Sequence, residues 1–212
     1  MKIAKLDYEI LRPSQGRWLF MLRDIERAGR NCYKSEDKIT GSSARGFVTR
    51  LLEKKPPHEA MLEHAPNISV LFHVPRGLTH EYVRHRLASF AQESTRYCNY
   101  GKGKFGRQIT LIPMMEGLTR AQIARRKRVW RELERVYLAE IDEGVRPQQA
   151  RDNLLICLKS DIVVTTNVRH WREIFRQRDS DLAHPMMMKL MHRLVADFRG
   201  RVPVLFDDVG QP

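Results

Sequence analysis

The 212-residue chain has little cysteine and no long apolar run. Cys32, Cys98 and Cys157 are odd in number and lack C-x-x-C spacing, which argues against a disulfide framework or a zinc site. No apolar run approaches the ~18 residues that a membrane span needs, and no secretory signal pattern is present. These absences disfavour the disulfide-rich and membrane-spanning classes, and we expect a soluble, cytoplasmic protein with no bound metal.

Acidic side chains are scarce relative to basic ones, with 25 Asp and Glu against 38 Lys and Arg and a formal net charge of +13. Such a balance is typical of proteins that bind nucleic acid or another polyanion. An enzyme that gathers anionic nucleotides explains it equally well. The densest basic run, ARRKR at 124–128, lies opposite the apolar stripe of a predicted helix. A solvated face is therefore the favoured interpretation of that run, and nucleic-acid binding is the alternative.

Hydrophobic periodicity predicts mixed helices and strands over residues 1–212, with no linker that would divide a single domain. Strands are predicted at 1–11, 67–74, 108–113 and 161–168. Helices are predicted at 17–29, 44–54, 119–144, 150–158, 171–178 and 185–200, with another from about Leu78 through 81–96. Thr119 and Gln122 have the spacing of a capping box. The pattern indicates an α+β fold with a small, mainly antiparallel sheet packed with long helices.

The stretch at 81–96, EYVRHRLASFAQESTR, stands out from this background. Read as a helix, it has an apolar stripe at Val83, Leu87 and Phe90. Arg84 and Arg86 would flank the stripe, and His85 would point away from it. An isolated RHR is most often a basic surface. The alternative is functional: three such side chains, spread around the helix, would suit a site at the helix end or between subunits.

Ser94 follows the RHR after seven residues, and Arg96 comes two positions later. This RHR-x7-S-x-R pattern resembles the signature of the flavin-dependent thymidylate synthases. The resemblance extends over 30–34, 58–97 and 147–184. It implies a methyltransferase that converts dUMP to dTMP through bound FAD, with 5,10-methylenetetrahydrofolate as methylene donor and NADPH as reductant. It also implies a homotetramer whose active sites lie between chains.

The resemblance assigns two overlapping sets of ligand contacts. The FAD contacts would be Glu63, Arg84, His85, Arg86, Gln92, Asn167, Arg169 and Glu173. The dUMP contacts would be Glu81, Arg84, Gln92, Ser94, Thr95, Arg96, Arg151 and Arg178. Arg178 would be the catalytic residue, because a fixed guanidinium can stabilise charge on the uracil ring without proton transfer. No cysteine lies in an evident activated setting, which agrees with a family that uses no enzyme nucleophile.

Arg178 also attracts attention without the resemblance. On the predicted helix it falls near the middle of the apolar face formed by Trp171, Ile174 and Phe175. Burying an arginine there is costly unless an anion or acceptor meets it. Either Arg178 faces a ligand, or the helix ends earlier and the side chain turns outward.

Several positions depart from the usual family pattern. They are Ala60, Glu81, Gln92, Glu173 and Met186. Two motif matches are set aside: residues 101–106 fit G-x-G-x-x-G but precede a strand, and His58-Glu59 lacks the second histidine of H-E-x-x-H at position 62. The alternative functions are a basic nucleic-acid-binding protein and a flavoprotein NADPH oxidase without methyl transfer.

Overall fold

Six short strands form the sheets of the computed structural model, which describes residues 1–210. They are β1 (Lys2–Ile3), β2 (Asp7–Arg12), β3 (Ile68–Pro75), β4 (Ser89–Gln92), β5 (Thr110–Leu111) and β6 (Lys159–Thr166). A four-stranded sheet has the order β2-β3-β6-β4, while β1 pairs in parallel with β5. The continuous apolar run of β3 suits its place inside the sheet, and the alternating burial of β6 shows the two-residue period of a strand.

Eight α-helices accompany these strands in the described residues. They are α1 (Phe20–Cys32), α2 (Ser43–Leu52), α3 (Arg76–Tyr82), α4 (Arg120–Asp142), α5 (Pro147–Ala150), α6 (Val168–Arg178), α7 (Pro185–Arg201) and α8 (Pro203–Phe206). The capping box at the start of α4 is confirmed: Thr119 accepts from the Gln122 backbone, and the Gln122 side chain accepts from the Thr119 backbone. The predicted α+β class with a small antiparallel sheet is confirmed. None of the described helices is long and apolar enough to cross a membrane.

The described chain divides into two compact units. The first contains Met1–Asp7, Phe72–Arg84 and Ala91–Ile162, and the second contains Tyr8–Leu71, His85–Phe90 and the chain from Val163 onward. The divisions at 71/72, 90/91 and 162/163 fall inside β3, β4 and β6, not in linkers. A single domain over 1–212 stays a prediction.

Each unit has its own hydrophobic core. In the first, Trp130 and Tyr137 of α4 pack with Tyr100, Ile109 and Leu158. In the second, the aromatic rings of α6, α7 and α8 meet edge-on, among them Phe175, Phe198 and Phe206 with centroids 5.1–5.9 Å apart. The methionine-rich stripe predicted on α7 is part of that core, since Met187 and Met191 are fully buried. The core of the second unit fixes α6, which carries much of the candidate site.

Two predicted helices are wrong. The stretch at 81–96 is helical only to Tyr82, turns between Val83 and Ala88, and continues as β4. The Leu87 carbonyl, which would accept from residue 91 in a helix, instead accepts from the Thr166 hydroxyl at 2.6 Å. The predicted helix at 150–158 ends at Ala150, apart from one 3₁₀ turn at Arg151–Asn153. In an α-helix the N–H groups of Leu154 and Leu158 would donate to residues 150 and 154, but they donate to the carbonyls of Arg151 and Leu155, both at 2.9 Å.

Candidate active site

One cleft of the second unit lies between α6 and the 3₁₀ helix Glu59–His64. Its volume is about 380 Å³, and its lining residues are Glu59, Glu63, Leu87, Asn167, Arg169, His170 and Glu173. Asn167 is the N-cap of α6, where its Oδ1 accepts from the His170 backbone at 2.9 Å. Arg169 donates from Nη1 to Glu63 Oε1 at 2.6 Å. Four residues assigned to the flavin by resemblance therefore share one cleft.

His170 adds a polar atom that the sequence argument missed. Its Nε2 is buried and has no hydrogen-bond partner among residues 1–210. Since buried polar atoms are normally satisfied, this nitrogen is a candidate contact for a ligand in the cleft. The ring of His170 meets the ring of His85 edge-on, with centroids 5.8 Å apart. The histidine of the RHR is therefore next to the cleft wall.

His85 is 5% exposed and faces inward, so the prediction that it points away from the apolar side was wrong. Burial, followed by the charge of Arg178, lowers its pKa from 6.5 to about 4. The imidazole is thus neutral near pH 7, and its Nε2 accepts a 3.0 Å hydrogen bond from Arg178 Nε. This contact joins a residue that the resemblance assigned to FAD, His85, with one that it assigned to dUMP, Arg178.

Arg178 is the last residue of α6 and is partly exposed. The helix therefore continues through this position, although Arg178 is not among its buried residues, which are Val168, Trp171, Arg172, Ile174 and Phe175. The fully buried arginine of α6 is Arg172, which the sequence argument did not consider.

The remaining RHR arginines lie in the turn after α3. Arg84 and Arg86 are both exposed, and within the described chain neither guanidinium has a hydrogen-bond or ion-pair partner. Glu81 lies in the last turn of α3 and is partly buried. Arg86 belongs to the second unit, whereas Glu81 and Arg84 belong to the first.

A second cleft, of about 310 Å³, belongs to the first unit. Thr95 and Arg151, both assigned to dUMP, line it together with Arg76, His80 and Asp152. Arg76 and His80 are four residues apart on α3, so they lie on the same side of the helix, and neither was among the predicted site residues. Ser94 and Arg96 lie on either side of Thr95, where the Arg96 backbone N–H donates to Ser94 Oγ at 3.3 Å and Arg96 Nε donates to Gln148 Oε1 at 3.2 Å.

Gln92 is held by hydrogen bonds within the first unit. Its amide nitrogen donates to Thr79 Oγ1 at 2.9 Å and to Ser160 Oγ at 3.3 Å. The next residue, Glu93, accepts from the Tyr100 hydroxyl at 2.6 Å and from the Asp161 backbone at 3.2 Å. These contacts fix the chain that leads from β4 to Ser94.

The predicted residues are thus collected in two groups. Glu63, His85, Asn167, Arg169, Glu173 and Arg178 belong to the second unit, and Gln92, Ser94, Thr95, Arg96 and Arg151 belong to the first. No group of three or more His, Cys, Asp or Glu side chains within residues 1–210 is arranged to hold a metal ion.

A protein-family model and two relatives of known family match most of the chain. A family model described as "Thymidylate synthase complementing protein" matches residues 20–204. A flavin-dependent thymidylate synthase of Corynebacterium aurimucosum is 33% identical over 201 residues, covering 87% of this chain and 78% of its own. The flavin-dependent thymidylate synthase of Geobacter sulfurreducens is 27% identical over 192 residues, covering 88% and 81%.

Two solved structures share the fold. A UMP/dUMP methylase from Streptomyces cacaoi, bound with 5-Br dUMP, has a TM-score of 0.75 at 20% identity and coverage of 98% of this chain and 96% of its own. Thymidylate Synthase X from Helicobacter pylori, with FAD and dUMP, has a TM-score of 0.69 at 18% identity and coverage of 96% and 98%. At these identities, the likeness concerns the fold alone.

Proposed function

The chain belongs to the flavin-dependent thymidylate synthase family, and from that premise we propose that it makes dTMP from dUMP by reductive methylation. FAD would be the bound cofactor, 5,10-methylenetetrahydrofolate the methylene donor and NADPH the reductant. The observation that carries the proposal is the α6 cleft. There Glu63, Asn167, Arg169 and Glu173 meet beside the unsatisfied Nε2 of His170, and α6 ends at Arg178.

The residues of the α6 cleft fit a polar cofactor. They offer a guanidinium, two amide or imidazole groups and three carboxylates around Leu87. When bound, the flavin supplies the hydride, and the protein positions it. Glu63 and Arg169 would hold one wall through their 2.6 Å contact, and His170 Nε2 would gain a partner. The exposed guanidinium group of Arg86, in the same unit, is available for the anionic part of the cofactor.

Arg178 would act on the pyrimidine. Negative charge must develop on the uracil ring before carbon 5 attacks, and a permanently charged guanidinium stabilises that charge without moving a proton. His85, neutral and accepting from Nε, orients the guanidinium group. Burial raises the pKa of the Cys98 and Cys157 thiols, which supports a reaction without a cysteine nucleophile.

The dUMP phosphate would lie in the cleft of Thr95 and Arg151. A hydroxyl and a guanidinium are suitable donors for phosphate oxygens, and Arg76 adds a second guanidinium.

The α6 cleft, at about 380 Å³, is near the lower end of the usual range for ligand sites, about 300–1,000 Å³. A dinucleotide such as FAD needs a larger lining surface than this cleft offers. This supports a homotetramer in which another copy of the chain completes the site.

Spectroscopy and turnover together test the proposal. We expect the purified protein to bind FAD, to be protected from heat by dUMP, and to form dTMP when the folate and NADPH are supplied. Protein that takes up no FAD would contradict the proposal. NADPH oxidation that ignores dUMP and folate would instead indicate a flavoprotein oxidase. Salt-sensitive binding of random nucleic acid without flavin would indicate the nucleic-acid alternative.

A further inference from the structure

Arg172 of α6 is fully buried, yet all its hydrogen-bond donors are used. Its Nε and Nη2 donate to Glu59 Oε1 at 3.2 and 2.8 Å. Its Nη1 and Nη2 donate to the two oxygens of Asp208 at 2.7 and 2.6 Å, and Nη1 also donates to the Leu205 carbonyl. These five bonds match the five N–H groups of a guanidinium. A buried charge arranged in this way holds a specific geometry.

The charges of this cluster balance. Arg176 donates to both oxygens of Glu59, at 3.3 and 2.5 Å, so that two arginines face the two carboxylates of Glu59 and Asp208. The arginines lower the pKa of Glu59 to about 2, against the opposing effect of burial. The pKa of Asp208 is lowered as well, with the hydrogen bond from Arg172 as the main favourable cause. Both carboxylates are therefore ionised near pH 7.

Glu59 connects this cluster to the α6 cleft. It is the first residue of the 3₁₀ helix Glu59–His64, and it lines the cleft together with Glu63 and Arg169. Arg169, Arg172 and Arg176 follow one another at helical spacing on α6, and each forms an ion pair with Glu59 or Glu63. The position of the 3₁₀ helix is therefore set by α6 on one side of the cleft.

The other end of the cluster, Asp208, lies in the C-terminal segment, residues 205–209. Leu205 and Asp208 follow residue 204, where the match to the family model ends. Leu205 is fully buried, so the segment is packed in place. Arg199 fastens the same segment separately, donating to the carbonyls of Phe206 and Val209. Within residues 1–210, it is the Arg172 side chain that links this segment to Glu59.

We propose that Arg172 and Asp208 are positioning residues for the flavin cleft, through which the C-terminal segment holds Glu59 and the 3₁₀ helix that carries Glu63. The proposal rests on the function proposed above, because the cleft is assigned to FAD there. Neither residue contacts the cofactor in this scheme. Asp208 orients Arg172, and Arg172 orients Glu59. Glu59 in turn fixes the 3₁₀ helix that forms one wall of the cleft.

Asp208→Asn tests this, with Asp207→Asn as the matched control. Asp207 is the adjacent residue and is exposed, as is Asp208, but its side chain makes no hydrogen bond or ion pair within the described chain. In flavin-free protein, we expect amide hydrogen exchange in residues 59–64 to accelerate in the Asp208 variant and to stay at the wild-type rate in the control. In the same variant, FAD should bind about tenfold more weakly, as for a moderate coupling between sites. Asp208→Glu should restore part of the affinity.

The outcomes separate the two proposals. Equal exchange and equal FAD affinity in the two asparagine variants would overturn the positioning role. Faster exchange with unchanged affinity would also overturn it, since the cluster would then support the fold alone. If the wild type binds no FAD, the proposed function fails, and the exchange rates of residues 59–64 alone then decide the positioning role. The exchange rates would still report whether Asp208 holds the 3₁₀ helix.

Discussion

The Nε of Arg178 donates a 3.0 Å hydrogen bond to Nε2 of His85, 93 positions away in the sequence. The acceptor can only be a neutral imidazole, and burial together with the nearby arginine keeps it neutral. The orientation of the proposed catalytic guanidinium therefore depends on the protonation state of its neighbour. Two predictions concern this pair directly.

Arg178→Ala should abolish most dTMP formation while FAD remains bound. Loss of one charge-stabilising donor costs roughly 10²–10³ in kcat in comparable sites, and the α6 cleft does not include Arg178 among its lining residues. Flavin absorbance and dTMP yield measure the two effects. Arg50→Ala, at an exposed arginine of α2, is the control and should keep full activity. Full activity of the Arg178 variant would remove its proposed role.

Acid should destabilise the fold through His85. The pKa of this residue is about 4 in the folded chain against 6.5 for an ordinary histidine, so between these values the unfolded chain binds more protons here. The free energy of unfolding therefore falls as pH drops from about 6.5 towards about 4. With one pKa unit worth about 1.4 kcal/mol, the loss is on the order of 3 kcal/mol at most.

His85→Asn tests this, because it removes the titrating group. Urea unfolding at several pH values should show a shallower loss of stability towards acid in this variant than in the wild type. His64→Asn changes an exposed histidine and should leave the wild-type slope intact. Identical slopes in all three proteins would contradict the assignment of the pKa to His85.

Local sequence patterns predicted the structure correctly where a segment faces only solvent and the hydrophobic core. The alternating burial of β6, the capping box of α4 and the methionine-rich stripe of α7 are all visible in short windows. The family signature at 84–96 likewise identified the family without knowledge of the fold. The site roles that it implies stay predictions.

Non-local contacts explain the errors. Val83, Leu87 and Phe90 have helical spacing, but the pairing of β4 in the sheet and the hydroxyl of Thr166 override it. Non-local contacts also explain why the burial of Arg172 was not predicted. Its carboxylate partners lie 113 and 36 positions away, so no local window shows that this arginine is buried and Arg178 is not.

Thr119→Ala should lower the stability of the protein by about 1 kcal/mol. The side chain satisfies an N–H group at the start of the 23-residue helix α4, and alanine offers no acceptor. Thermal or urea unfolding measures the change. Ser42→Ala is a matched control, because Ser42 is the N-cap of α2 but makes no side-chain cap hydrogen bond. An equal loss in both variants would mean that the capping box is not the source of the effect.

Arg125→Gln combined with Arg128→Gln should leave dTMP formation unchanged and stability within about 0.5 kcal/mol. Both side chains are exposed on α4 and have no ion-pair partner in the described chain. Enzyme assays and urea unfolding check this. Salt-sensitive oligonucleotide binding that disappears in the double variant would favour the nucleic-acid alternative for residues 124–128.

Arg76→Gln should weaken dUMP binding about tenfold without affecting deoxyuridine. The two ligands differ by the phosphate, and a charged hydrogen bond is worth about 1.5–3 kcal/mol. Arg76 lines the cleft of Thr95 and Arg151, where Asp152 is the only carboxylate of the lining set. Titration of the purified protein with each ligand gives the two dissociation constants.

Arg146→Gln is the control for this comparison, since Arg146 is an exposed residue of the same unit that does not line the cleft. Arg76 also donates to the Glu93 carbonyl at 3.4 Å, so its loss could disturb the chain before Ser94. That route would weaken dUMP and deoxyuridine alike. A loss confined to dUMP therefore identifies a phosphate contact, and an equal loss for both ligands identifies a structural role instead.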